Sequence, residues 1–223
     1  MHTHLEKLSI VKNKVNEITS EKQLKINPQI IIVSKKFSLE KIKPIIDFGH
    51  IHFGENKVQE AIDKWSEIKT IKKNIKLHML GPLQSNKAKK AVKLFDYIHS
   101  LDNAKLASKI AQYEKELNKK VKLFIQVNIG NETQKSGILL NDLENFFYYC
   151  SRKLSLNVIG LMCLPPIESD AAESFKLLRN SADKLNLKEL SMGMSADYEQ
   201  AVLNGSTYLR LGTIILGERP NTI

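Results

Sequence analysis

Eight short runs of β-branched and other apolar residues alternate with longer stretches whose apolar residues fall three and four apart. A period near two marks a strand and a period near 3.6 marks a helix, so this alternation reads as repeated strand–helix units and a parallel sheet. The spacing predicts strands over 29–35, 51–56, 76–81, 97–102, 121–129, 158–164, 189–195 and 207–217. Among the seven helical stretches between them, one is led by Val58, Ala61, Ile62 and Trp65, another by Leu106, Ile110, Tyr113 and Leu117, and a third by Phe175, Leu178, Ala182 and Leu185. A further helix comes first: Thr3 and Glu6 have capping-box spacing, and Leu5, Leu8, Val11, Val15 and Ile18 form one stripe. Such a series makes either a doubly wound sheet or a closed barrel. An open dinucleotide-binding sheet calls for G-x-G-x-x-G after its first strand, and that motif is missing here. The last strand ends too near Ile223 to be followed by an outer helix, and the N-terminal helix can fill that gap in the ring. The expectation is therefore a (β/α)8 TIM barrel with an extra N-terminal helix, one domain over residues 1–223.

Composition narrows the function classes. With 42% hydrophobic and 26% charged residues, the chain resembles an ordinary soluble globular protein rather than a disordered or fibrous one. No apolar run nears the ~20 residues of a membrane span, and the first residues hold no signal-peptide core. Cys150 and Cys163 are the only cysteines, which leaves no disulfide framework or paired metal motif, so a cytoplasmic protein is expected. The net charge is +10, yet 30 of the 34 basic residues are lysines, and their clusters contain no interleaved aromatics. Base-reading and single-strand binding rely on arginine forks and exposed aromatic faces, so these lysines read as a solvated surface.

In a barrel of this kind chemistry belongs to the C-terminal ends of the strands. The first predicted strand is apolar until it ends in Ser34-Lys35-Lys36. A lysine losing hydration there has a lowered pKa and more free amine for Schiff-base chemistry. Alternation sends Lys35 and Lys36 to opposite faces, and periodicity does not say which one enters the barrel mouth. The last two strands supply Ser195, Gly212 and Thr213, two hydroxyls and a residue without a side chain, which suit the phosphate site that barrels often build there. A lysine facing a phosphate site points to pyridoxal 5'-phosphate (PLP).

The motifs Val33-Ser34-Lys35, Phe53-Gly54-Glu55-Asn56-x-Val58-Gln59-Glu60, Gly81-Pro82-Leu83-Gln84-Ser85-Asn86-Lys87 and Ser191-Met192-Gly193-Met194-Ser195 occur in this order, followed by Arg210-Leu211-Gly212-Thr213 and Gly217-Glu218-Arg219. Together they resemble the pyridoxal phosphate homeostasis protein family, whose members are single barrels related to the N-terminal domain of alanine racemase. The resemblance implies that Lys35 forms the internal aldimine with PLP and that Asn56 lies near the ring and its 3-oxygen. It implies that Arg210 faces the pyridine nitrogen, and that Ser195, Gly212 and Thr213 hold the phosphate with the main chain around Met194. One departure stands in strand three, where Leu77-His78-Met79-Leu80-Gly81 replaces the family's usual Trp-His-Phe-Ile-Gly, a change expected to alter packing around the ring.

The function implied is reversible holding of PLP for intracellular homeostasis, without established turnover. A cation facing the pyridine nitrogen disfavours the pyridinium that an electron-sink catalyst needs, and a racemase needs a base on each face of its substrate. Implied partners are PLP and PLP-dependent apo-enzymes as acceptors; the chain is expected to be a monomer, with no specific nucleic acid and no membrane. The alternative is a single-domain amino-acid racemase-like PLP enzyme. Other motifs carry less. His50-x-His52 falls at the strand end opposite the active face with no third ligand matched to it, and reads as packing. The loop from Gly81 to Lys87 lacks the second glycine and Lys-Ser/Thr pair of a Walker loop. Cys150 shares a helix's apolar side with Phe146 and Phe147, and nothing near Cys163 argues for an activated thiolate.

Overall fold

The computed structural model describes residues 3–132, 134–166 and 169–218. Arg219 and His2 lie outside the described residues. Eight parallel strands close on one another in chain order: β1 (Gln29–Val33), β2 (His52–Glu55), β3 (Lys76–Met79), β4 (Tyr97–Leu101), β5 (Lys122–Val127), β6 (Val158–Cys163), β7 (Glu189–Ser191) and β8 (Tyr208–Leu211). The ring shuts between β1 and β8, where Gln29 pairs with Tyr208 and Ile31 with Arg210. This is the expected TIM barrel.

Helices α1 (His4–Glu21), α2 (Leu39–Asp47), α3 (Val58–Ile71), α4 (Ala88–Leu94), α5 (Ala104–Glu116), α6 (Leu143–Tyr148), α7 (Ala171–Lys184), α8 (Tyr198–Leu203) and α9 (Thr213–Leu216) surround it. The predicted capping box starts α1: the Thr3 amide donates to Glu6 Oε2 at 2.6 Å and the Glu6 amide donates to Thr3 Oγ1 at 3.2 Å. Leu8, Val11, Val15 and Ile18 bury the inner face of α1, which packs against α2, α8 and α9 and so fills the gap in the ring. The predicted strand over 207–217 is corrected. β8 stops at Leu211, and after Gly212 the run Ile214, Ile215, Leu216 turns into one helical turn. A short apolar run fits either period, and here Ile215 and Leu216 are buried in the core shared with α1.

Alternation along the strands sorts side chains into two layers. Ile30, Ile32, Phe53, Leu77 and Met79 join Trp65 and the helices in one large outer core. Ile31, Tyr97, Phe124, Met162 and Tyr208 form a separate cluster inside the barrel. Each fully buried Leu, Ile or Phe contributes about 1.5–3 kcal/mol, so the outer layer carries most of the stability. The inner layer is free to hold polar side chains. Among the described residues no helix is long and apolar enough to cross a membrane.

Candidate functional site

A cavity of about 370 Å³ opens at the C-terminal ends of the strands and is lined by Val33, Lys35, Asn56, Leu80, Met162, Leu164, Met194, Ser195, Ala196, Arg210, Gly212 and Thr213. All seven residues that the sequence singled out, from Lys35 to Thr213, meet there. The choice between the two lysines is also resolved. Ile31 and Val33 face inward, so Lys35 continues that parity into the cavity while Ser34 turns outward. Lys36 adopts φ 64°, a left-handed conformation that non-glycine residues seldom take, and its amide donates to Glu60 Oε1 at 2.5 Å.

The turn bearing Lys35 is braced by a buried network that the sequence reading missed. Glu55 is fully buried, and its Oε1 accepts from the Ser34 hydroxyl at 2.7 Å, Lys64 Nζ at 2.9 Å and the Trp65 indole at 3.0 Å. Lys64 Nζ also donates to the Ser34 carbonyl at 2.8 Å and to Glu60 Oε1 at 3.3 Å. Both neighbours of Lys35 are thereby tied to α3. The available signal was parity: Asn56 points inward, so Glu55 must point at the helix layer, where a buried carboxylate requires a cation.

Across the cavity, the loop after β7 meets the start of α9. Ser195 Oγ accepts from the Gly212 amide at 3.4 Å and the Ile214 amide at 3.3 Å, so two main-chain donors converge on one hydroxyl oxygen. Gly193 shapes this loop at φ 91°, and a Cβ there would lie 2.5 Å from the Ala201 Cβ. The Met194 amide donates to Asp197 Oδ1 at 2.5 Å, so that main-chain donor is already engaged. Asn56 is held from behind by Gly81, where any Cβ would run into the Asn56 main chain. The departure in strand three falls elsewhere than expected. Leu77 and Met79 face the helices, and only Leu80 reaches the cavity, because inward parity belongs to His78 and Leu80.

Arg210 is 5% exposed and forms the floor. Its Nη1 donates to Ser191 Oγ at 2.7 Å and its Nη2 to the Cys163 carbonyl at 2.9 Å. Burial lowers its pKa, while the Asp197 charge acts the other way. Beneath it lie imidazoles. His99 Nδ1 is 2.8 Å from Ser191 Oγ, His78 Nδ1 is 2.9 Å from His99 Nε2, and His52 Nδ1 is 2.9 Å from His78 Nε2. His78 stacks on Tyr97 with centroids 4.2 Å apart, and His99 on Phe124 at 4.3 Å. Burial holds His78 and His99 well below the usual imidazole range and His52 at about 4, so all three are neutral at pH 7. The packing role expected of His50 and His52 stands, but the two do not pair. His50 Nε2 bonds the His52 carbonyl at 2.9 Å, and among the described residues no group of His, Cys, Asp or Glu has the arrangement of a metal site. Cys150 and Cys163 are both buried, and burial pushes both thiols up to about 12, so neither is an activated thiolate.

The sequence and the fold both have known relatives. Residues 11–220 match the family model described as the alanine racemase N-terminal domain. The pyridoxal phosphate homeostasis protein of Escherichia coli strain K12 is 34% identical over 199 residues, covering 85% of each chain. The protein of that name from Synechocystis sp. strain PCC 6803 is 35% identical over 200 residues, covering 86% of this chain and 91% of its own. PipY of Synechococcus elongatus PCC7942, solved with PLP bound, is 37% identical and superposes with a TM-score of 0.78, covering 91% of this chain and all of its own. Alanine racemase from Corynebacterium glutamicum shares the fold at 15% identity and a TM-score of 0.70, covering 98% of this chain and 62% of its own.

Proposed function

This chain belongs to the alanine racemase N-terminal domain family and, within it, to the pyridoxal phosphate homeostasis proteins, and from that premise we propose that it binds PLP in the cavity at the strand ends and holds it reversibly through Lys35. The observation that carries the reading is the convergence on one cavity of an inward lysine, a buried guanidinium and main-chain donors gathered at Ser195. The group fits. A cavity of about 370 Å³ is the size of a small-ligand site, and its donors match an anion at one end and an aldehyde at the other. When bound, PLP supplies an aldehyde carbon and an electron-poor ring.

The chain's own residues do the rest. Lys35 is the covalent anchor, fixed by the Glu55–Lys64 network on the turn beside it. Ser195, Gly212 and Thr213 take the phosphate, with the main chain beside Met194 shaping the loop. Asn56 stands beside the ring, and Arg210 presents a fixed cation to its nitrogen. That cation disfavours protonation of the ring nitrogen, which weakens carbanion stabilisation. Among the described residues, the only titratable side chains lining the cavity are Lys35 and Arg210, so the second base of a two-base racemase has no candidate there. The reading is therefore one PLP-holding domain over residues 1–223, a monomer in the cytoplasm that buffers the cofactor and releases it to PLP-dependent apo-enzymes without turnover.

Borohydride reduction of the protein mixed with PLP, followed by peptide mapping, is expected to find the adduct on Lys35 alone. Lys35→Ala should lose the visible absorption of the adduct and keep its circular dichroism; full absorption in that variant would sink the assignment. Added amino acids should show only background exchange of the α-proton in deuterated water. Exchange above background that depends on Lys35 would overturn the absence of turnover.

A further inference from the structure

The hydrogen bonds beneath Arg210 have a direction that their distances alone do not state. A guanidinium has only donors, so the 2.7 Å contact from Arg210 Nη1 makes Ser191 Oγ an acceptor there. Ser191 is fully buried, and its hydroxyl has one proton to place. Its other partner is His99 Nδ1 at 2.8 Å, so that nitrogen accepts the proton. A neutral imidazole accepting at Nδ1 carries its own proton on Nε2. His99 Nε2 therefore donates to His78 Nδ1 at 2.9 Å, and His78 Nε2 in turn donates to His52 Nδ1 at 2.9 Å. The opposite polarity would leave the Ser191 proton buried without an acceptor, a cost of about 1–3 kcal/mol. With this polarity Ser191 and the three imidazoles are all hydrogen-bonded in the interior.

The file crosses the inside of the barrel. Arg210 lines the upper cavity, and His52 lines a second cavity of about 580 Å³ at the opposite mouth, beside Tyr97 and Tyr208. Barrel interiors are usually filled by branched aliphatic side chains, so a continuous polar file needs its own reason. Buried chains of hydrogen bonds polarise one another, so each member responds to the next.

We infer that Ser191, His99, His78 and His52 form a one-way hydrogen-bonded file that positions Arg210 and couples the floor of the upper cavity to the opposite mouth of the barrel. These four are positioning residues, since Arg210 lines the upper cavity and none of the four does. The consequence for the cofactor rests on the reading that its ring faces Arg210. An acceptor on the upper side of the guanidinium competes with Ser191 for its protons, and the change passes along the file to His52. The coupling runs equally in reverse, so a ligand in the lower cavity alters how Arg210 meets the ring.

Long-range ¹H–¹⁵N correlation spectra of the labelled full-length protein near neutral pH read this directly. His99, His78 and His52 are expected as single neutral Nε2–H tautomers. Arg210→Met removes the donor that sets the polarity, and should shift both ring nitrogens of His52 and mix its tautomers, although two imidazoles stand between. An Nδ1–H tautomer at His99 or His78 in the wild type overturns the inference, and so does an unchanged His52 in a folded Arg210→Met. The wild-type spectrum alone decides the polarity if that variant fails to fold. Addition of PLP separates the two readings. An adduct on Lys35 with every imidazole nitrogen unmoved overturns the coupling. Absence of the adduct, with the tautomers and the Arg210→Met response as expected, sinks the cofactor reading and leaves the file standing.

Discussion

Lys64 holds the strand end that carries Lys35, and it does so from a nearly closed environment. Its side chain is 9% exposed and that of Glu55 is 0% exposed, so their 2.9 Å contact is a buried ion pair. Such a pair adds little over an apolar replacement of the same volume, but removing one partner leaves a charge that nothing compensates. Lys64→Met is therefore expected to cost about 3–5 kcal/mol, read as a lowered urea midpoint with unchanged slope. Glu55→Gln combined with Lys64→Met should lose less than Lys64→Met alone, because the stranded carboxylate is gone while Oε1 still accepts from Ser34 and Trp65. If the double variant is the weaker of the two, the charge account of this network fails. Lys36 shows why bracing is needed. Its left-handed backbone costs on the order of 1–3 kcal/mol and persists only because the contacts around it impose it, among them the Glu60 carboxylate on its amide.

The helix α1 stands where an eighth outer helix would follow β8, and its apolar stripe is what makes that substitution work. Leu8 is fully buried, so Leu8→Ala combines lost transfer energy with a cavity and should cost about 2–5 kcal/mol. Thermal unfolding measures it; a loss under about 1 kcal/mol would mean that α1 is draped over the barrel rather than part of its core. The helix α1 itself was legible in the sequence, because the Thr3–Glu6 cap and the apolar stripe pointed the same way. The eight strands were legible as short β-branched apolar runs between stretches of 3.6 period. Their C-terminal ends were not. Predicted strands ran one to six residues past the observed ends, as with 207–217 against Tyr208–Leu211, because apolar residues continue into the loops that build the cavity. The cavity residues themselves came from motif order, with parity unable to separate Lys35 from Lys36 until the register of β1 was known. The interior file stayed hidden because pairing His52 with His78 and His78 with His99 depends on the stagger between neighbouring strands, which sequence spacing does not encode.

A barrel filled with neutral imidazoles ties its stability to pH in a range where few other groups titrate. Burial lowers the pKa of His50 and His52 to about 4 and holds His78 and His99 well below the ordinary 6.5. In the unfolded chain these side chains take up protons near pH ~6.5, which the folded chain refuses, so the unfolded state binds more protons below that point. Stability is then fully present above about pH 6.5 and is lost as the pH falls through the window toward 4. For His52 alone, a folded value of about 4 against 6.5 corresponds to a loss of about 3 kcal/mol by pH 4. Ordinary carboxylates titrate near ~4, so the decline between pH ~6.5 and ~5 belongs to the imidazoles. The urea midpoint is expected to fall steadily from pH 7 to pH 5, and His52→Gln should flatten that slope by about one proton. A midpoint that stays level across this range would mean that the interior admits imidazolium, and an imidazole carrying two protons has no acceptor nitrogen through which to continue the file to Arg210.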